Sequence, residues 1–135
     1  GVISTILASE FNVKILGLVS SSFQFTNGDI MQGVEPIWKK IGHYLHKSTK
    51  YGPVDLPYSF VEDARSYNAL EYIPNVKGFK FFIAGSEDHM VPASTSYELY
   101  KKAQEPKEWV LIEGMEHKYK KQEGFIMQYR TKIGY

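Results

Sequence analysis

Cysteine is absent from the 135 residues, which excludes disulfides and thiolate metal sites but leaves the compartment open, because a secreted chain can also lack the residue. A cytoplasmic location is the default expectation. Excess charge is absent too: sixteen basic and fifteen acidic side chains leave a net charge of +1, so no electrostatic footprint for nucleic acid or an anionic membrane is present. The local cluster Lys118, Lys120 and Lys121 reads as a solvated face. No apolar run approaches the ~20 residues that span a bilayer, and no charged leader with an apolar core marks a signal peptide. Internal repeats and low-complexity tracts are missing as well.

What is present suffices for one domain over residues 1–135, with 43% hydrophobic and 15% aromatic residues to build a core. The most informative stretch is Phe79 to Pro92, FKFFIAGSEDHMVP. Its apolar run predicts a short buried strand that stops at Gly85-Ser86-Glu87-Asp88. A second strand, Trp109 to Ile112, runs into Glu113-Gly114-Met115-Glu116-His117. Ser94 to Gln104 reads as a helix between them, with Thr95 and Glu98 at capping-box spacing. The two strands then form one βαβ unit, parallel and right-handed, with both strand ends on one edge of the sheet. Asp88 and His117 are thereby presented side by side.

Upstream, Val2 to Phe11 has a 3.6-residue period and predicts a mostly buried helix with Val2, Ile3, Ile6, Leu7 and Phe11 on its apolar face. Val13 to Val19 predicts a compact strand closed by Ser20-Ser21-Ser22. Residues 23–76 read as a helical cap or lid insertion. In it Pro36 sits as a first-turn proline, with a helical stripe through Ile37, Trp38, Ile41, Tyr44 and Leu45 that ends near Ser48. Tyr51 to Pro57 predicts a turn-rich connector, and Tyr58 to Tyr72 a second helix. Gln122 to Ile133 predicts a closing amphipathic helix through Phe125, Tyr129 and Ile133. The expected fold is α/β: three parallel strands with flanking helices and a small helical cap.

The run Gly85-Ser86-Glu87-Asp88-His89-Met90-Val91-Pro92 resembles the G-x-x-D-x-x-V-P segment of α/β-hydrolases. Gly114-Met115-Glu116-His117 is similar to the G-x-x-H segment after their last strand. The resemblance covers the whole chain as the C-terminal half of such a domain. It implies a Ser-His-Asp acyl-transfer site in which His117 takes the nucleophile's proton and Asp88 fixes its tautomer. It also implies that Gly1 closes the nucleophile turn, because no G-x-S-x-G occurs in these residues and the serine would then lie just upstream or on a partner chain. The glycine at position 1, in place of methionine, fits a start inside a longer gene product or a tag remnant.

Other candidates carry less. Ser20, Ser21 and Ser22 end a strand on the right edge but lack the flanking glycines of a strained elbow. Ser86 reads as a turn former, Glu87 and Glu116 as fallback acids, and His89 as an exposed neighbour. His43 and His46 lie three apart, yet without further ligands nearby they read as surface histidines, and no metal or organic cofactor is expected. Trp38, Tyr44, Phe60 and Tyr67 are candidates to line an apolar substrate pocket beneath the cap. The expected substrate is a small ester, thioester or related acyl compound. The expected partner is an N-terminal half of the domain, or a second copy meeting the bare strand edge 13–19. The competing expectation is a non-catalytic binding or structural module on the same scaffold.

Overall fold

The computed structural model describes residues 1–25, 29–48, 50 and 52–118. The closing helix expected over residues 122–133 lies outside them. Helix α1 (Val2–Glu10) leads into strand β1 (Ile15–Val19), and helix α2 (Asp29–Ile41) is followed by strands β2 (His43–Ser48) and β3 (Gly52–Pro57). Short helices α3 (Ser59–Arg65) and α4 (Ala69–Tyr72) and a 3-10 turn then lead to strand β4 (Phe79–Gly85), helix α5 (Ala93–Lys102) and strand β5 (Lys107–Ile112). Among the described residues no helix is long and apolar enough to cross a membrane.

The main sheet has the order β1-β4-β5, and both pairings are parallel. Its centre is β4, whose alternate residues Lys80, Phe82 and Ala84 are fully buried. The inward residues of β1, Leu16 and Leu18, join Phe82, Leu99, Ile73, Val76 and Ala8 in one core. Period-2 alternation and a strand covered by helices explain this arrangement. Lys80 is the exception within it: its Nζ donates to the Val76 carbonyl at 2.9 Å, and burial lowers its pKa from the ordinary lysine value.

Helix α1 corrects the expectation of a mostly buried helix. It turns Thr5 and Ala8 inward, whereas Ile3, Leu7 and Phe11 are exposed at 61%, 48% and 63%. The apolar stripe is real, but no described element covers it. Ile15 and Val19 of β1, at 70% and 48%, are also exposed, on the strand that ends the sheet among the described residues.

The segment between β1 and β4 differs from the expectation in four places. Residues 43–48, expected as the end of a helix, form β2, and the expected connector 51–57 contains β3, the two pairing antiparallel from His43↔Pro57 to Ser48↔Gly52. The cause is Gly42, which adopts φ 85° and donates its amide to Trp38 O at 2.8 Å, so the helix ends on a left-handed glycine. Pro36 lies inside α2 rather than in its first turn. The expected helix 58–72 is broken between α3 and α4, where Asn68 Oδ1 accepts from the Leu70 amide at 3.1 Å and starts the second piece. The insertion therefore pairs helices with one hairpin. A last correction concerns α5: it begins at Ala93 on Pro92 with no side-chain cap, so the Thr95–Glu98 box does not form, and Glu98 pairs with Lys101 at 2.7 Å instead.

Candidate active site

The register places Gly85 opposite Ile112, so β4 and β5 end together and their two loops leave from the same edge. Those loops are stitched to each other. The Ser86 amide donates to Ile112 O at 3.1 Å, the Glu87 amide to Met115 O at 3.1 Å, and the Gly114 amide to Ser86 Oγ at 2.8 Å. Met115, 2% exposed, plugs the space below. The two loop glycines serve different ends. Gly114 has φ 71° and supplies a left-handed turn, whereas Gly85 supplies space, because a Cβ there would collide with Met115 O.

From this platform His117 Nδ1 reaches Asp88 Oδ2 at 3.0 Å. The Asp88 side chain is wholly buried, and that of His117 is 36% exposed. The other carboxylate oxygen, Oδ1, accepts from the Met90 amide at 3.0 Å and the Val91 amide at 2.8 Å. Burial by itself pushes the Asp88 carboxyl up. The Val91 amide, the nearby Ser20 hydroxyl and the His117 ring outweigh it and hold the group below the ordinary carboxylate value, so Asp88 is charged at neutral pH. The Ser20 contribution is that of a close dipole, since its Oγ makes no aligned hydrogen bond among the described residues. A buried carboxylate fixed on one side by two amides has its remaining oxygen aimed at the imidazole, which is how a histidine is oriented for proton transfer.

No protein-family model and no curated protein matches the chain. Solved structures do. An α/β hydrolase, GrgF, from Penicillium sp. sh18 superposes with TM-score 0.70 at 11% identity over 97% of this chain and 57% of its own. Est1E from Butyrivibrio proteoclasticus, solved with ferulic acid, gives TM-score 0.63 at 15% identity over 96% and 53%. The α/β hydrolase domain-containing protein 10 from mouse gives TM-score 0.66 at 19% identity over 95% and 54%. The fold is the C-terminal half of an α/β-hydrolase. Accordingly, the chain spans about half the length of the hydrolases it matches.

Beside the Asp88–His117 pair of this hydrolase scaffold lies a cavity of about 580 Å³ between the main sheet's edge and the insertion. Phe60 and Tyr67 line it, together with Phe25, Met90 and Val91. Trp38 and Tyr44 do not. Trp38 is buried in the insertion's own core with Tyr58 and Val61, donates Nε1 to Leu56 O at 3.0 Å and packs on the Tyr44 ring at 5.2 Å. The cavity wall reaches the pair through Ser20 and through Met90 and Val91, whose amides hold Asp88.

The remaining candidates separate. Asp88, rather than Glu87, faces His117. His43 pairs with Asp55 across the hairpin at 2.8 Å in solvent, away from the sheet edge, and among the described residues no three potential metal ligands gather. Ser20 was legible as a strand end but not as a conformation: it has φ 42°, unusual for a residue with a side chain, and both it and Ser21 are buried with hydroxyls that find no partner among the described residues. Only the triple serine at a strand's C-terminus hinted at such a feature.

Proposed function

We propose that this chain is the acid-and-base half of a serine hydrolase acting on carboxylic esters, thioesters or related small acyl compounds. The observation that carries the reading is the 3.0 Å approach of His117 Nδ1 to a buried, doubly anchored Asp88 at adjacent ends of parallel strands. With Nδ1 donating to Asp88, the neutral ring keeps its lone pair on Nε2. That nitrogen takes the proton of an attacking hydroxyl as the acyl carbonyl is converted to a tetrahedral intermediate. It then returns the proton to the leaving oxygen or sulfur, and water repeats the cycle to release the acid. Asp88 remains ionised throughout and stabilises the imidazolium that forms in each half-reaction.

The hydroxyl comes from outside these residues, on an N-terminal half of the domain, since no G-x-S-x-G occurs among them. Two features of the chain support that complement. Among the described residues the main sheet's β1 edge is unpaired, and apolar side chains stand exposed on both elements beside it, Ile3, Leu7 and Phe11 on α1 and Ile15 and Val19 on β1. Gly1, at the start of α1, packs so closely on the Ser21 hydroxyl that a Cβ would collide, which suits the small residue closing a nucleophile turn.

The test is to join or co-express this chain with the strand-bearing half that its gene or operon supplies, and to assay a panel of p-nitrophenyl esters. Hydrolysis is expected, and His117→Ala should lower kcat by about 10⁴-fold or more. An unchanged rate in that variant refutes the assignment. Pairing of two copies through the β1 edge with no turnover would favour the non-catalytic module instead.

A further inference from the structure

Two hydroxyls in the cavity wall make no aligned hydrogen bond among the described residues, although that of Ser20 also lies close enough to Asp88 to help hold its carboxyl low. Ser20 and Ser21 are 8% and 5% exposed, both line the cavity, and neither Oγ has a hydrogen-bond partner among the described residues. Their backbones, by contrast, are held. The Ser20 amide donates to Ile83 O at 2.8 Å, and Ser21 O accepts from Ser96 Oγ at 2.9 Å. Ser20 is also kept at φ 42°, a conformation that glycine adopts at less cost. A chain that retains a serine there, buried and unpaired, bears two costs at once. A buried hydroxyl without a partner is rare in folded proteins and marks a place where a ligand or water completes the bonding.

The rest of the wall indicates what that ligand is. Phe25, Phe60, Tyr67, Val19, Met90 and Val91 make it largely apolar, and Phe25 meets Phe60 edge to face at 5.1 Å. Asp63 is the one carboxylate among the side chains lining it, and no basic side chain is among them. A carboxylate entering this space would lose its hydration beside a like charge, with no lysine, arginine or histidine side chain in the wall to offset the loss. An uncharged oxygen function meets no such penalty, and two neighbouring hydroxyls can each donate to it.

We propose that Ser20 and Ser21 form a hydrogen-bonding subsite for an uncharged ester group whose aryl or alkyl body fills the cavity against Phe25, Phe60 and Tyr67. This rests on the hydrolase reading for the choice of ester, and it adds a discrimination: the neutral ester is held and the carboxylate released on hydrolysis is rejected.

Binding needs no nucleophile, so the subsite is tested apart from turnover. Affinities of methyl hydrocinnamate, of pentylbenzene as its hydrocarbon counterpart, and of hydrocinnamate are measured by ligand-observed NMR. The chain's α-amino group is acetylated for this, because Gly1 also lines the cavity. The ester should bind more tightly than the hydrocarbon. In the double variant Ser20→Ala, Ser21→Ala the ester should lose about tenfold, as expected for two modest hydrogen bonds, while the hydrocarbon is unchanged. Ser20→Gly removes one hydroxyl while relieving the left-handed backbone, so a loss of ester preference in that variant cannot be ascribed to misfolding. Hydrocinnamate should bind at least tenfold more weakly than the ester. An ester affinity unchanged in both variants overturns the subsite, and hydrocinnamate binding as tightly as the ester overturns its restriction to uncharged ligands.

Discussion

Replacing Gly85 by alanine tests the geometry on which the site depends. Gly85 is buried at the end of β4, and the position of a Cβ on it overlaps Met115 O, a backbone atom of the loop that carries His117. Restoring an ordinary carbon–oxygen contact of ~3.3 Å requires the two loops to separate by about 1 Å. The rest of the contact network resists, because the Glu87 amide is bonded to the same Met115 carbonyl and the Ser86 amide to Ile112 O. If the loops yield, the Asp88–His117 distance grows from 3.0 Å toward ~4 Å, beyond hydrogen-bonding range. Overpacking costs about 1–3 kcal/mol, and losing a hydrogen bond to a charged group about 1.5–3 kcal/mol, so Gly85→Ala should destabilise by roughly 2.5–6 kcal/mol. In a reconstituted hydrolase the displacement should also lower kcat by about 10²-fold. Urea unfolding gives the first number, and the proton shared by His117 and Asp88, followed by NMR, reports the bond directly. A variant that loses less than ~0.5 kcal/mol and keeps that proton resonance would show that the loops are not in the contact described.

Three further outcomes follow from burial and charge. Phe82→Ala, at a fully buried position in the central strand whose ring meets Tyr100 edge to face, should cost about 3–5 kcal/mol in chemical unfolding. The Asp88 pKa is depressed on folding, so its contribution to stability is complete above the ordinary value of 3.8 and is lost as pH falls through the folded value. Asp88→Asn should therefore flatten the acid limb of a stability–pH curve, and an unaltered limb would contradict the anchoring described. Lys80 has the opposite linkage: its folded pKa lies below the ordinary 10.5, so the unfolded chain binds more protons in between and stability rises with pH until it levels off above that value. Lys80→Met should abolish the rise while changing stability near pH 7 by less than about 2 kcal/mol, since the lost bond to Val76 O and the relieved desolvation oppose each other. Equilibrium unfolding across pH 7 to 11 checks both statements.

Much of this molecule can be read from residue order because the signals are local. An apolar run stopped by glycine and polar residues defines β4 and β5, and a helix of crossover length between them makes the pair parallel, which brings Asp88 and His117 to one edge. The hairpin was hidden because Tyr44 and Leu45 continue the spacing of Trp38 and Ile41, and a stripe of that kind does not say where a helix stops. Gly42 decides it through a left-handed turn that pays off only when Gly52–Pro57 is there to pair.

Periodicity gave α1 an apolar face, but burial depends on whether another element lies against that face, and Ile3, Leu7 and Phe11 are left exposed by the described residues. The same distinction divides the four aromatic pocket candidates. Composition cannot separate Trp38 and Tyr44 in the insertion's core from Phe60 and Tyr67 on the cavity wall, because both environments want the same residues. Sequence alone thus determined which strand ends carry Asp88 and His117, through short-range pattern and chain connectivity. The 3.0 Å approach of their side chains, the strained Ser20 and the unpartnered hydroxyls were decided only by tertiary packing, where residues far apart in the chain set each other's space and solvation.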